Sequence, residues 1–147
     1  MQQAIDIASL SNDDLPIGAV IVKEDKIIAK AHNQKEANNS VILHAEIVAI
    51  QQAEKILKNW RLDNCEMYVT LEPCPMCAWA ILQARMAKVY FGASDTIYGA
   101  FGGALDLRQL TNSKTIVNGG IKEDECSKLI KNYMNKMRKQ KADERHS

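Results

Sequence analysis

Apolar positions along the chain fall into short blocks whose period changes from one to the next. Residues 1–11 place Ile5, Ala8 and Leu10 at helical spacing, and Leu15-Pro16 ends that segment. Ile17 to Val22 is almost continuously apolar, as in a strand buried on both faces. Lys23 to Lys26 then turns the chain into Ile27-Ile28-Ala29, so the pattern predicts a hairpin. Asn33 to Ser40 is polar and reads as a loop. His44 to Leu57 reads as a helix whose first half, Ile47 to Ile50, is apolar on nearly every side and therefore buried. Met67 to Leu71 is the next strand. Pro73 and Pro75 open a second helix running to about Arg85, because proline is tolerated in a helix's first turn. Val89-Tyr90-Phe91 is a strand ended by Gly92, and Gly99, Gly102 and Gly103 mark a flexible loop. Thr115 to Val117 is the last strand, and Gly119-Gly120 precedes a long C-terminal helix. Strands alternating with helices predict a layered α/β fold.

At 147 residues the chain suits one domain spanning 1–147, and no internal repeat divides it. With 19 Lys and Arg against 18 Asp and Glu, net charge argues neither for nor against nucleic acid. No apolar run approaches the ~18 residues that span a bilayer, so no membrane is expected. Four cysteines without a secretory signal read as metal ligands and free thiols rather than disulfides, and the expected location is cytoplasmic.

The chemistry concentrates in His44-Ala45-Glu46 and Pro73-Cys74-Pro75-Met76-Cys77. Imidazole and a thiolate pair suit Zn²⁺, one per chain, and three protein ligands leave a fourth position for water. Glu46 is then free to move protons as the catalytic residue. Cys74 and Cys77 sit three apart at a helix start, where sulfurs share a side and free N–H groups favour thiolate. His44 and Glu46, two apart, would point roughly 200° apart on a regular helix, so His44 must lie at the helix start. A closed structural zinc site completed by Cys65 or Cys126 would instead make a non-catalytic binding module. Glu46 argues against it, since a buried carboxylate beside the metal serves no structural purpose. Zinc peptidases draw their ligands from His-Glu-x-x-His, which is absent.

His-x-Glu followed by Pro-Cys-x-x-Cys is the pattern of zinc nucleobase deaminases. The chain resembles the cytidine-deaminase superfamily and, within it, the bacterial tRNA-specific adenosine deaminases. The resemblance covers Leu15 to Val20, Ala31-His32-Asn33, His44-Ala45-Glu46, Asn59-Trp60-Arg61-Leu62, Tyr68 to Ala78 and Phe91-Gly92-Ala93-Ser94-Asp95. Its narrower part rests on Trp60-Arg61-Leu62, Thr70 to Cys74 and Gly92-Ala93-Ser94-Asp95. That resemblance implies a three-layer α/β/α fold with a five-stranded mixed sheet and a homodimer. It also implies conversion of adenosine to inosine at the wobble position in the tRNA anticodon loop. By the same resemblance, His44, Cys74 and Cys77 hold zinc, Asn33 holds the target base and Asp95 lies near the flipped nucleotide. Deamination of a free base or nucleoside such as guanine or cytosine is the alternative within the class.

Three segments depart from the family's pattern. Ser40-Val41-Ile42-Leu43 stands where Asp-Pro-Thr-Ala is usual, which is expected to change a pocket wall. Asn112-Ser113-Lys114 replaces Asn-His-Arg, and Tyr133-Met134 replaces a phenylalanine pair. In the last helix Cys126, Leu129, Ile130, Tyr133, Met134 and Met137 form an apolar stripe. Six Lys or Arg and no acid lie between Lys128 and Lys141, a strip suited to phosphates.

Overall fold

A five-stranded sheet in the order β2-β1-β3-β4-β5 runs through the middle of the computed structural model, which describes residues 1–146. The strands are β1 (Gly18–Lys23), β2 (Lys26–His32), β3 (Cys65–Leu71), β4 (Lys88–Ala93) and β5 (Ile116–Asn118). β1 runs antiparallel to β2 and to β3, whereas β3, β4 and β5 are parallel, so the sheet is mixed. The expected hairpin forms around Glu24 and Asp25, both at positive φ (51° and 61°), the geometry of a tight two-residue connection.

Helices α1 (Gln2–Ala8) and α4 (Glu123–His146) pack on one face, and α2 (Ala45–Leu57) and α3 (Pro75–Gln83) on the other. The α/β architecture with a five-stranded mixed sheet is therefore as expected. One core, from Ala19 and Ile21 through Met67, Val69 and Val89 to Ala49 and Ile81, lies between the sheet and the α2–α3 layer. Gly18 to Ile21 are all buried, as the unbroken apolar run requires.

Local details differ from the pattern. Leu10 is 56% exposed, because a 3₁₀ turn at Ser9–Ser11 replaces the helix after Ala8 and Ala4 and Ala8 face inward instead. β4 does not stop at Gly92 but pairs through Ala93. α4 buries only Cys126; Leu129, Ile130, Tyr133 and Met137 are half-buried and Met134 is exposed. Among the described residues no helix is long and apolar enough to cross a membrane.

Candidate active site

Two helix starts meet beyond the carboxyl ends of β3 and β4, where open α/β sheets place ligands. His44 is the N-cap of α2 (φ −70°, ψ 153°) and Cys74 the N-cap of α3 (φ −71°, ψ 172°). Neither side chain caps its own helix. Instead His44 Nδ1 lies 3.6 Å from Cys74 Sγ and 3.5 Å from Cys77 Sγ. The three ligand atoms fall within 4.8 Å of one another, close enough for one ion. Extended backbone at His44 frees its ring from the helical repeat, so Glu46, in the first turn of α2, can share its side. Pro75 at the first helical position of α3 fixes φ where no N–H is needed.

Electrostatics suit a soft divalent cation. The hydrogen bond from Cys77 lowers the Cys74 thiol to about 4 despite its partial burial, with His44 adding to the effect. The same bond pushes Cys77 up, and the bond to Cys74 raises His44. Glu46 is 3% exposed, burial pushes its carboxyl up to about 7, and its Oε1 has no hydrogen-bond partner among the described residues. A buried, unpaired carboxyl oxygen beside an imidazole and a pair of cysteine sulfurs is what a metal with an attached water would satisfy. Cys65 and Cys126 are buried elsewhere and do not join the cluster, so among the described residues no fourth ligand closes it into a structural site.

His44, Glu46 and Cys74 floor a cavity of about 280 Å³, walled by Leu15, Ile17, Leu71, Glu72, Asp95 and Tyr98. Asp95 lines the cavity and shapes its wall, since its Oδ1 accepts from the Ile97 and Tyr98 N–H groups at 2.9 and 3.0 Å. Asn33 is buried behind the floor and does not line the cavity; its Oδ1 accepts from Ala45 N–H at 2.8 Å, holding the first turn of α2. Residues 40–43 do not form a pocket wall: Val41 and Ile42 are exposed, while Leu43 packs on the core.

Sequence reasoning missed two buried carboxylates. Glu72, 3% exposed, accepts from Asp95 N–H (3.0 Å), Phe101 N–H (3.0 Å) and Gly103 N–H (2.8 Å). A Cβ at Gly99 or Gly103 would collide with the Asp95 carbonyl and the Glu72 carboxyl, so these glycines serve close packing, and the loop expected to be flexible is pinned. Asp14 accepts from Glu36 and Ala37 N–H at 2.8 and 3.2 Å, holding the loop ahead of His44. The available hint was an acid between a strand and Pro-Cys, followed by a glycine-rich stretch.

The sequence profile of the MafB19-like deaminases matches residues 1–141. The chain belongs to this deaminase family. Its likeness to the tRNA-specific adenosine deaminase of Bacillus subtilis (strain 168) is 41% identity, covering 96% of this chain and 90% of that one. A solved structure from work on A-to-I editing by tRNA:A34 deaminases superimposes with a TM-score of 0.81 at 36% identity, covering 88% of this deaminase and 96% of that chain. A guanine deaminase structure from Bacillus subtilis gives a TM-score of 0.62 at 41% identity, covering 65% of this chain and 62% of that one.

Proposed function

We propose that this deaminase hydrolyses adenosine to inosine at the wobble position of tRNA, with one Zn²⁺ per chain held by His44 Nδ1 and the Cys74 and Cys77 sulfurs. The observation that carries the reading is the unpaired Glu46 Oε1 in a cavity floored by that donor set. The names of the tRNA-specific relatives, matched over nearly the full chain, support the substrate. A zinc ion there supplies Lewis acidity, bringing the pKa of a water from ~15.7 toward ~7.

The remaining steps belong to the protein. Glu46 Oε1 takes a proton from the water as its oxygen attacks C6 of adenine, and delivers that proton to ring N1. The second water proton passes by way of Glu46 to the 6-amino nitrogen, the C6–N bond breaks and ammonia leaves, with C6=O in its place. Burial raises the Glu46 carboxyl, which favours its holding the proton between the two transfers, the condition for one residue to serve as base and then acid. Asp95, at the wall, is proposed to lie beside the target nucleotide. For Asn33 the geometry supports a narrower part: its side-chain oxygen accepts from Ala45 N–H and so holds the first turn of α2, which presents Glu46.

Two basic features support RNA as the substrate. Lys128, Lys131, Lys136, Arg138, Lys139 and Lys141 are all exposed on α4. Arg61, Arg85 and Lys114 line a depression of about 290 Å³, and among the described residues neither Arg85 nor Lys114 forms an ion pair. We further propose a homodimer in the cytoplasm. Ile47, Ile50 and Trp60 line a hollow between α2 and α3, with Trp79 exposed beside it, which supports that face as the interface.

A second reading, deamination of a free base such as guanine or cytosine, is favoured by the guanine deaminase relative. Ammonia release from an anticodon stem-loop, adenosine, guanine and cytosine, assayed in parallel on zinc-loaded protein, decides between them. The RNA is expected to exceed the other three by far, with inosine recovered at the wobble position. Robust guanine or cytosine turnover without inosine in RNA would move the assignment to the second reading.

A further inference from the structure

We infer that Tyr98 forms a stacking subsite at the mouth of the cavity for the nucleobase adjacent to the one deaminated, an inference that rests on the RNA reading above. At about 280 Å³ the cavity stands at the small end of the ~300–1,000 Å³ of ligand sites, with room for one nucleoside and not for a second. The neighbouring nucleotides of an RNA must then cross its mouth. Tyr98 stands there: it contributes to the cavity lining, yet is 67% exposed. Among the described residues its ring stacks on no other ring and its hydroxyl forms no hydrogen bond. Ile97 beside it is 72% exposed and extends the apolar surface.

The backbone beneath that ring is held with unusual thoroughness for an exposed loop. Asp95 Oδ1 accepts from Ile97 and Tyr98 N–H, the Asp95 carbonyl accepts from Gly99 N–H at 3.0 Å, and Glu72 fixes Asp95, Phe101 and Gly103. An aromatic side chain with two torsions on a pinned loop presents a flat surface that loses little entropy when covered. Stacking is indifferent to base identity, because every base has a π-face. That suits the neighbour of the target, whose identity the cavity does not need to read. A lone nucleoside carries no adjacent base to lay on the ring.

The test combines Tyr98→Ala and Tyr98→Phe with three stem-loops: intact, abasic on the 5′ side of the target, and abasic on the 3′ side. Tyr98→Ala should raise KM for the intact RNA by roughly 5- to 150-fold, the range for losing one base–aromatic stack. kcat should change little, and Tyr98→Phe should restore KM. Removing one of the two neighbouring bases should cost the unaltered protein the same factor and cost Tyr98→Ala nothing further, the non-additivity of a direct contact. Zinc content and melting temperature should not move, since the side chain is exposed. Unchanged KM on intact RNA overturns the inference, as does an equal loss on both abasic RNAs. An equal loss on free adenosine also overturns it, because Tyr98 then covers the target base itself. If the unaltered protein forms no inosine in any RNA, the RNA reading falls and this inference falls with it.

Discussion

The floor and the wall of the cavity are built by opposite means. The floor is local: His44 and Glu46 are two residues apart, Cys74 and Cys77 three, and each pair sits on one helix start. The wall is long-range: Glu72 reaches 23, 29 and 31 residues ahead to hold the loop carrying Asp95 and Tyr98. Chemistry that needs fixed spacing between like atoms is written into short motifs. Shape around it comes from a buried acid acting as a template for backbone N–H groups, and any loop with donors at the right places would serve.

Substitutions that separate floor from wall test this division. The largest effect is expected from Cys77→Ala, which should abolish tight zinc binding and turnover while leaving hydrogen-exchange protection over residues 95–103 unchanged. Cys65→Ser and Cys126→Ser should both keep the metal, measured by stoichiometry on the purified protein. The next effect belongs to the wall. Glu72→Ala leaves the buried Phe101 N–H and the part-buried Asp95 and Gly103 N–H groups without an acceptor. At ~1–3 kcal/mol for a buried donor and less for the other two, a loss of about 3 kcal/mol is expected in chemical denaturation. Exchange protection should collapse across 95–103, and KM for RNA should rise while zinc stays bound.

How much of this was legible follows the same line. The apolar run at Ile17 to Val22, the prolines before α3 and the helical stretch after His44 are local signals, and each produced its element. The need for His44 to stand outside the helix followed from 100° per residue alone. Glu72 was not legible, because a buried carboxylate and a surface one look alike until the fold brings the donors of residues 95–103 to it. The glycines around it pointed to flexibility for the same reason. Asn33 shows the reverse: a residue expected at the substrate has its oxygen committed to the helix that presents the catalytic acid.

Smaller effects sharpen the comparison further. In metal-free protein, Glu46 is protonated more readily folded than unfolded, its pKa standing at about 7 against 4.5. The unfolded chain therefore loses that proton first as pH rises. Glu46's own contribution to stability should fall between pH 4.5 and 7, by about 3 kcal/mol at 1.36 kcal/mol per pKa unit, while the lowered Cys74 thiol contributes in the opposite sense over the same range. Urea titrations of the unaltered protein and of Glu46→Gln should therefore diverge across that range, with the variant gaining relative stability as pH rises. Outside the cavity, Lys136→Ala, Arg138→Ala and Lys139→Ala together should touch neither floor nor wall. Their expected mark is a shallower dependence of RNA affinity on salt, by roughly 0.7 in log–log slope for each phosphate no longer neutralised.

The central claim is that the floor separates holding the metal from moving the proton. Single-turnover formation of inosine in an anticodon stem-loop, measured on a Glu46→Gln sample whose zinc has been quantified, tests it most directly. One zinc per chain with the rate down by ~10²–10⁴-fold is the predicted result. Near-normal inosine formation with zinc in place would contradict the account.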